Sequence, residues 1–197
     1  MMPKKWHIKK FIEYNNNSIN IMMVETEGFC EAVEKAESKF GKHEEAEKIS
    51  TIFGFINLTL IDILTLWNMF MLAKNDNEKK LISKTACHHM YEFIKDGEKI
   101  FGVELKTYNQ IFKNADIENE INELRRLFNS VKKRNETFLK EVRHNVSGHK
   151  DRNIRKQFAV IKSIDIEKFD VIFFDFMCIV MPYTDLKKKI KYRKRPI

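Results

Sequence analysis

The sequence predicts an all-α protein, an antiparallel helical bundle with long central helices and short connections, and three observations predict it. Only six glycines and three prolines interrupt 197 residues. Strict alternation of apolar and polar residues, the mark of a half-buried strand, is nearly absent. Apolar residues recur instead at gaps of three and four, the period of an amphipathic helix. A chain of this length buries a real core without disulfides or structural metals.

Taken in order, residues 1–20 read as a loose extension. Phe29, Val33, Ala36 and Phe40 then share one helical stripe, and Gly41 follows where a helix end favours a left-handed residue. From Ile49 to Ala73 apolar residues occupy every face, so the segment is either buried or membrane-spanning, since roughly twenty apolar residues cross a bilayer. Asp62 near its centre would cost about 2.5–3.5 kcal/mol in lipid, Asn57 and Asn68 add to that, and no aromatic belt flanks it. A central bundle helix is therefore expected, with no membrane partner, and these three polar residues should find partners on neighbouring helices.

A third helix spans about 78–101, with Ile82, Ala86, Met90 and Phe93 inward. Ile117, Ile121, Leu124, Phe128, Val131, Phe138, Val142 and Val146 predict one long amphipathic helix. A shorter piece carries Ile154, Phe158 and Ile161. Asp165 is placed to cap a last helix with Phe169, Phe173, Phe176, Val180 and Tyr183 inward, kinked at Pro182. Residues 1–186 thus form one domain, and 187–197 a basic, disordered tail.

The net charge of +8 is unevenly spread. From Lys187 to the end there are seven basic residues and no acid; from Arg125 to Lys156 there are eleven against Glu136, Glu141 and Asp151. The rest of the chain is net acidic, an asymmetry suited to a phosphate-bearing partner such as RNA. Cys30, Cys87 and Cys178 are odd in number and far apart, so they read as free thiols in a reducing compartment and as small core residues. The polar amino terminus lacks the apolar run of a secretory signal, which places the chain in the cytoplasm.

The densest chemistry is Arg143-His144-Asn145-Val146-Ser147-Gly148-His149. His149 extends the stripe of Val142 and Val146 where Gly148 would let the helix end. Arg143 flanks that stripe, and Asn145 shares a face with His149. A titratable imidazole, a fixed cation and an amide are what metal-free RNA cleavage needs: a base for the 2′-hydroxyl, an acid for the leaving 5′-oxygen, and charge to hold the phosphorane. Arginine grips phosphate as a fork and histidine titrates in the right range. One histidine does not serve easily as both acid and base, and a homodimer joining two motifs would solve this.

This segment, an Arg and a His separated by five residues after a long helix in an all-helical chain, resembles the motif of HEPN-superfamily proteins. The resemblance covers about nine residues and is architectural over the rest. It implies a helical bundle, homodimerisation and, in many members, metal-independent endoribonuclease activity in toxin, antiphage or RNA-processing systems, with an antitoxin or other partner protein. It carries over to Arg143 and His149 as catalytic, with Asn145 accessory. Lys140, Lys150, Arg152, Arg155 and Lys156 are the adjoining candidates for RNA contact. His144 stands where many relatives have Asn. The competing readings are that Arg143 and His149 merely complement the negative end of a helix, or that the chain is a noncatalytic RNA-binding or protein-pairing module.

Other constellations are weaker. Glu141 and His144 have the Glu-x-x-His spacing of carboxylate-bridged metal sites, but such sites need a second copy, and the sequence has none. His88 and His89 are adjacent, so they point apart on a helix and read as core or surface residues. No glycine-rich phosphate loop or Ser/Cys nucleophile with a nearby base is evident, and neither a metal nor a cofactor is expected.

Overall fold

The structure, a computed structural model, describes residues 5–40, 44–107, 115–144 and 154–191, and among these there are helices and no strand. In chain order the helices are α1 (Lys5–Phe40), α2 (Glu44–Leu72), α3 (Asp76–Lys99), which continues through a π turn at Ile100–Glu104, α4 (Ala115–Arg143), α5 (Ile154–Ser163) and α6 (Ile166–Lys191). The chain is an all-α helical bundle.

Helices α2, α3, α4 and α6 surround the core. Trp67 of α2 lies flat on Phe173 of α6, ring centroids 3.7 Å apart, with Phe70 stacked on it at 5.3 Å and Phe169 tilted against it at 6.2 Å. Farther along, Phe53 stacks on Tyr183 at 6.1 Å. The pairs 67/173 and 53/183 set α2 and α6 antiparallel. Phe93, Phe101, Phe128 and Phe176 make a second aromatic cluster between α3, α4 and α6. Fully burying each such ring contributes about 1.5–3 kcal/mol, which is why a sixteen-phenylalanine chain closes around them.

Two caps follow the sequence closely. Asn75 accepts the Glu78 backbone N–H at 3.0 Å, and the Glu78 carboxylate takes the Lys74 N–H at 2.7 Å, a reciprocal cap on α3. Asp165 accepts the N–H groups of Glu167 and Lys168 at 2.9 and 3.2 Å and so starts α6. All five residues expected inward on α6 are buried, and the helix runs on through Pro182.

Several expectations shift. Residues 5–20 are the first half of α1, not a loose extension: Asn15 is buried, donating to Asn68 Oδ1 at 2.8 Å, while Asn68 donates to Asn16 at 2.9 Å. Beside them Phe11 meets Trp67 edge-on. The stripe Phe29–Phe40 is instead the outer half, where Phe29 stacks on Phe53 at 5.7 Å and Val33 and Ala36 are only half-buried. On α4, Asn135 and Leu139 point inward, whereas Phe138 is half-buried with the Lys168 ammonium 4.4 Å from its ring. The helix drifts past the seven-residue gap that the sequence stripe skipped. Cys87 is buried, with its thiol pushed up to about 12 by burial, but Cys30 and Cys178 are exposed.

Lys187, expected in the tail, is buried. Its ammonium pairs with Glu25 of α1, lies 3.0 Å from Asn57 Oδ1 and stands 4.8 Å over the Tyr183 ring. Asn57 donates to Thr26 Oγ1 at 3.1 Å, and the Tyr183 hydroxyl reaches Asn57 Oδ1 at 3.0 Å and the Phe53 carbonyl at 3.1 Å. Burial, with Glu25 nearby, raises the Tyr183 phenol and keeps it a donor. The polar residues of α2 thus find partners on other helices; Asp62, half-exposed, faces His89 at 3.4 Å. Ser50–Leu72 is nonetheless long and apolar enough to cross a membrane by length and composition.

Gly97 sets the spacing of α3 and α4. A Cβ there would fall 2.7 Å from Phe128 Cε2 and 3.3 Å from Phe101. Gly97→Ala should therefore destabilise the fold by about 1–3 kcal/mol in urea unfolding, despite alanine's higher helix propensity; a variant as stable as the parent would contradict this packing. Lys187→Ala, which strands the Glu25 carboxylate, should lower stability by about 3 kcal/mol, whereas a surface lysine such as Lys35 should change it by less than about 0.5 kcal/mol.

Candidate functional site

Arg143 closes the described part of α4, and its position follows from the packing beneath it. Ile121, Leu124, Phe128, Val131, Leu139 and Val142 seat α4 on the core, and the antiparallel approach to α3 carries its carboxyl end back along that helix. Farther back, the Lys132 ammonium meets Glu98 at 2.7 Å, and on the other side Arg134 grips Asp175 of α6 with 3.0 and 2.8 Å bonds. Asn135 adds a third bond to Asp175 at 2.8 Å. These charge-assisted contacts fix the rotation of α4 about its axis.

Arg143 is consequently held rather than waving. Its Nε and a terminal nitrogen both reach Glu92 Oε1, at 2.8 and 2.7 Å, with the two side chains 24% and 30% exposed. The guanidinium also sits 5.4 Å from the Tyr91 ring centroid, within cation–π range. Tyr91 meets His144 edge-on at 6.2 Å. One helical turn before Glu92, on the same face of α3, lies His88. Its Nδ1 is buried and has no hydrogen-bond partner among the described residues.

His88 titrates below the ordinary histidine range. Burial is the largest cause; His89 and Arg143 push the same way, and Glu92 opposes them. At neutral pH the imidazole is therefore uncharged, able to accept a proton or a hydrogen bond. The cluster offers a fixed guanidinium, a carboxylate that positions it, a neutral imidazole and a second imidazole at His144. That set can bind an anion and move a proton.

Of the residues singled out from sequence, Arg143 is where the helix pattern put it, Lys140 and Arg155 are exposed, and Lys156 lies in α5. Asn145, His149, Lys150 and Arg152 lie outside the described residues, as does the side chain of Lys156. Sequence reasoning missed Glu92, Tyr91 and His88. Contrary to expectation the His88 and His89 rings do not point apart but meet edge-on, centroids 5.6 Å apart, although His88 joins the Arg143 cluster while His89 faces Asp62. Glu92 has no local signal, since it stands 51 residues from Arg143. Among the described residues no group of three or more His, Cys, Asp and Glu is placed to hold a metal ion.

No protein-family model matches the chain, and no curated protein or solved structure matches it either.

The cluster predicts a measurable pH behaviour. The folded chain protonates His88 at lower pH than the unfolded chain does. Acidification through the ordinary histidine pKa of about 6.5 therefore costs stability, and His88→Gln should remove that part of the loss. In an NMR titration Glu92→Gln should lower the His88 midpoint further, because a supporting negative charge is gone, while Arg143→Met should raise it. Shifts in the opposite directions would contradict the arrangement.

Proposed function

We propose that this chain is a HEPN-like, metal-independent endoribonuclease of a toxin or antiphage defence system, acting in the cytoplasm as a homodimer with a composite site. The observation that carries this reading is the held Arg143. A guanidinium has five N–H donors, and Glu92 occupies two, so three remain for a phosphate. Fixing the cation before substrate arrives is what makes it effective against the charge that develops on the phosphorane. In the proposed reaction a base takes the 2′-hydroxyl proton, O2′ attacks phosphorus, and an acid protonates O5′ as it leaves. The products are a 2′,3′-cyclic phosphate and a 5′-hydroxyl. His149 is the acid or base, Arg143 the phosphate clamp and Asn145 an accessory donor. Lys140, Lys150, Arg152, Arg155 and Lys156 would contact the RNA backbone, adding a salt-sensitive affinity.

A second reading is favoured by the same ion pair: Arg143 clamps α4 onto α3 through Glu92, and the chain is a noncatalytic helical module that binds RNA or pairs with a partner protein. The two separate in one experiment. The purified protein is incubated with labelled tRNA and single-stranded RNA in EDTA, beside Arg143→Ala and His149→Ala. The nuclease reading expects cleavage to cyclic-phosphate ends by the wild type, a loss of about 100- to 1,000-fold for Arg143→Ala, and none left for His149→Ala at unchanged melting temperature. Intact RNA in every lane, with binding that weakens steeply with salt, is the outcome for the second reading.

A further inference from the structure

Among the described helices α5 is the shortest, ten residues. Val160 and Ile161 pack against the core. On the outer side Ile154 is 78% exposed and Phe158 55%. Ile154–Ser163 carries Arg155, Lys156 and Lys162 and no acid, so the apolar edge sits in a positive helix. The Lys162 ammonium lies 4.9 Å from the Phe158 ring centroid, and Arg155 is exposed beside it.

Two occupants suit a basic helix with an apolar edge: an anionic membrane surface and a nucleic acid. Membrane binding scales with the apolar area sunk among the lipids, and here that area is two side chains, one with an ammonium held over its ring that would have to sink with it. Nucleic acid uses the same pair without that cost. An unpaired base stacks on the aromatic ring while the neighbouring cation takes the adjoining phosphate. The position of α5 agrees. Lys80 of α3 donates to the Lys162 carbonyl, and Glu92 of α3 holds Arg143. These two anchor points are twelve residues apart on one helix, about 18 Å along its axis, so α5 and the Arg143 cluster both lie against α3.

We infer that Phe158, with Lys162 beside it, is a stacking platform for an unpaired base, and that the substrate class is single-stranded RNA rather than duplex. The inference rests on RNA being the partner, as proposed above, but not on cleavage. A base in a duplex is covered on both faces by its neighbours, whereas a single strand can lay one base on Phe158.

The test uses the full chain and a labelled 2′-O-methyl uridine oligomer, which lacks the 2′-hydroxyl and survives whether or not the protein is a nuclease. Binding is followed by fluorescence anisotropy over a salt series, beside the same oligomer paired with its adenosine complement and vesicles of phosphatidylcholine with phosphatidylglycerol. Phe158→Ala should weaken single-strand binding roughly 5- to 150-fold with an unchanged salt slope, because stacking is lost and no phosphate contact is. Phe158→Trp should retain binding and show emission that is quenched on adding the oligomer. Unchanged affinity for Phe158→Ala, or preference for the duplex, overturns the platform while leaving RNA as the partner. A wild type that binds neither nucleic acid, with or without binding vesicles, overturns both. Phe158 is exposed, so its variants should melt with the wild type, and a shifted melting temperature is read from Phe158→Trp instead.

Discussion

The close approach of α3 and α4 at Gly97 is the constraint on which the candidate site depends. With no side chain at Gly97, the Phe128 ring sinks against α3 and joins Phe93 and Phe101, and this contact sets how far the carboxyl half of α4 stands from α3. Arg143 then arrives within direct reach of Glu92 and Tyr91, with His88 one turn away. A spacing wider by a methyl group would lengthen bonds of 2.7 and 2.8 Å, and charge-assisted hydrogen bonds lose strength quickly with distance. The electrostatics of the cluster are therefore set by packing five to nine residues away along α3.

A second principle runs through the rest of the bundle. The core is overwhelmingly aromatic and aliphatic, and α1 is fastened to it both by Phe11, Met22 and Phe29 and by polar side chains. Near one end Asn15 donates to Asn68 and Asn68 to Asn16; near the other, Asn57 gathers Thr26, Tyr183 and Lys187. Each of these hydrogen-bonded groups would cost about 1–3 kcal/mol if left alone in the buried interface. The aromatic core supplies bulk stability, and the polar contacts decide where on it α1 sits.

How much of this was legible in the sequence divides along the same line. The all-α class, the inward faces of α3 and α6 and the cap at Asp165 came from periodicity and short-range chemistry, because those helices bury continuous apolar stripes. The extent of α1 was not legible, since its buried side includes Asn15, which reads as solvent-facing. Lys187 looked like the start of a solvated tail because its partner Glu25 is 162 residues away. Arg143 was legible as a candidate from its motif, but Glu92 and His88 were not, since nothing local in α3 marks them as neighbours of α4. The skipped position at Asn135 hid the drift that brings Leu139, not Phe138, into the core.

The two polar groups that join α1 to the bundle have a further meaning for how the chain finds its structure. A helix whose apolar residues recur every three or four positions can slide along its neighbour by one turn, about 5.4 Å, and still meet greasy surface. For α1 such a slide would carry Asn15 away from Asn68, Thr26 away from Asn57 and Glu25 away from Lys187 at the same moment, leaving several buried groups in an apolar setting without water or partner. The misaligned docking is thus excluded at both ends of the helix at once, and the long first helix has a single address on the bundle.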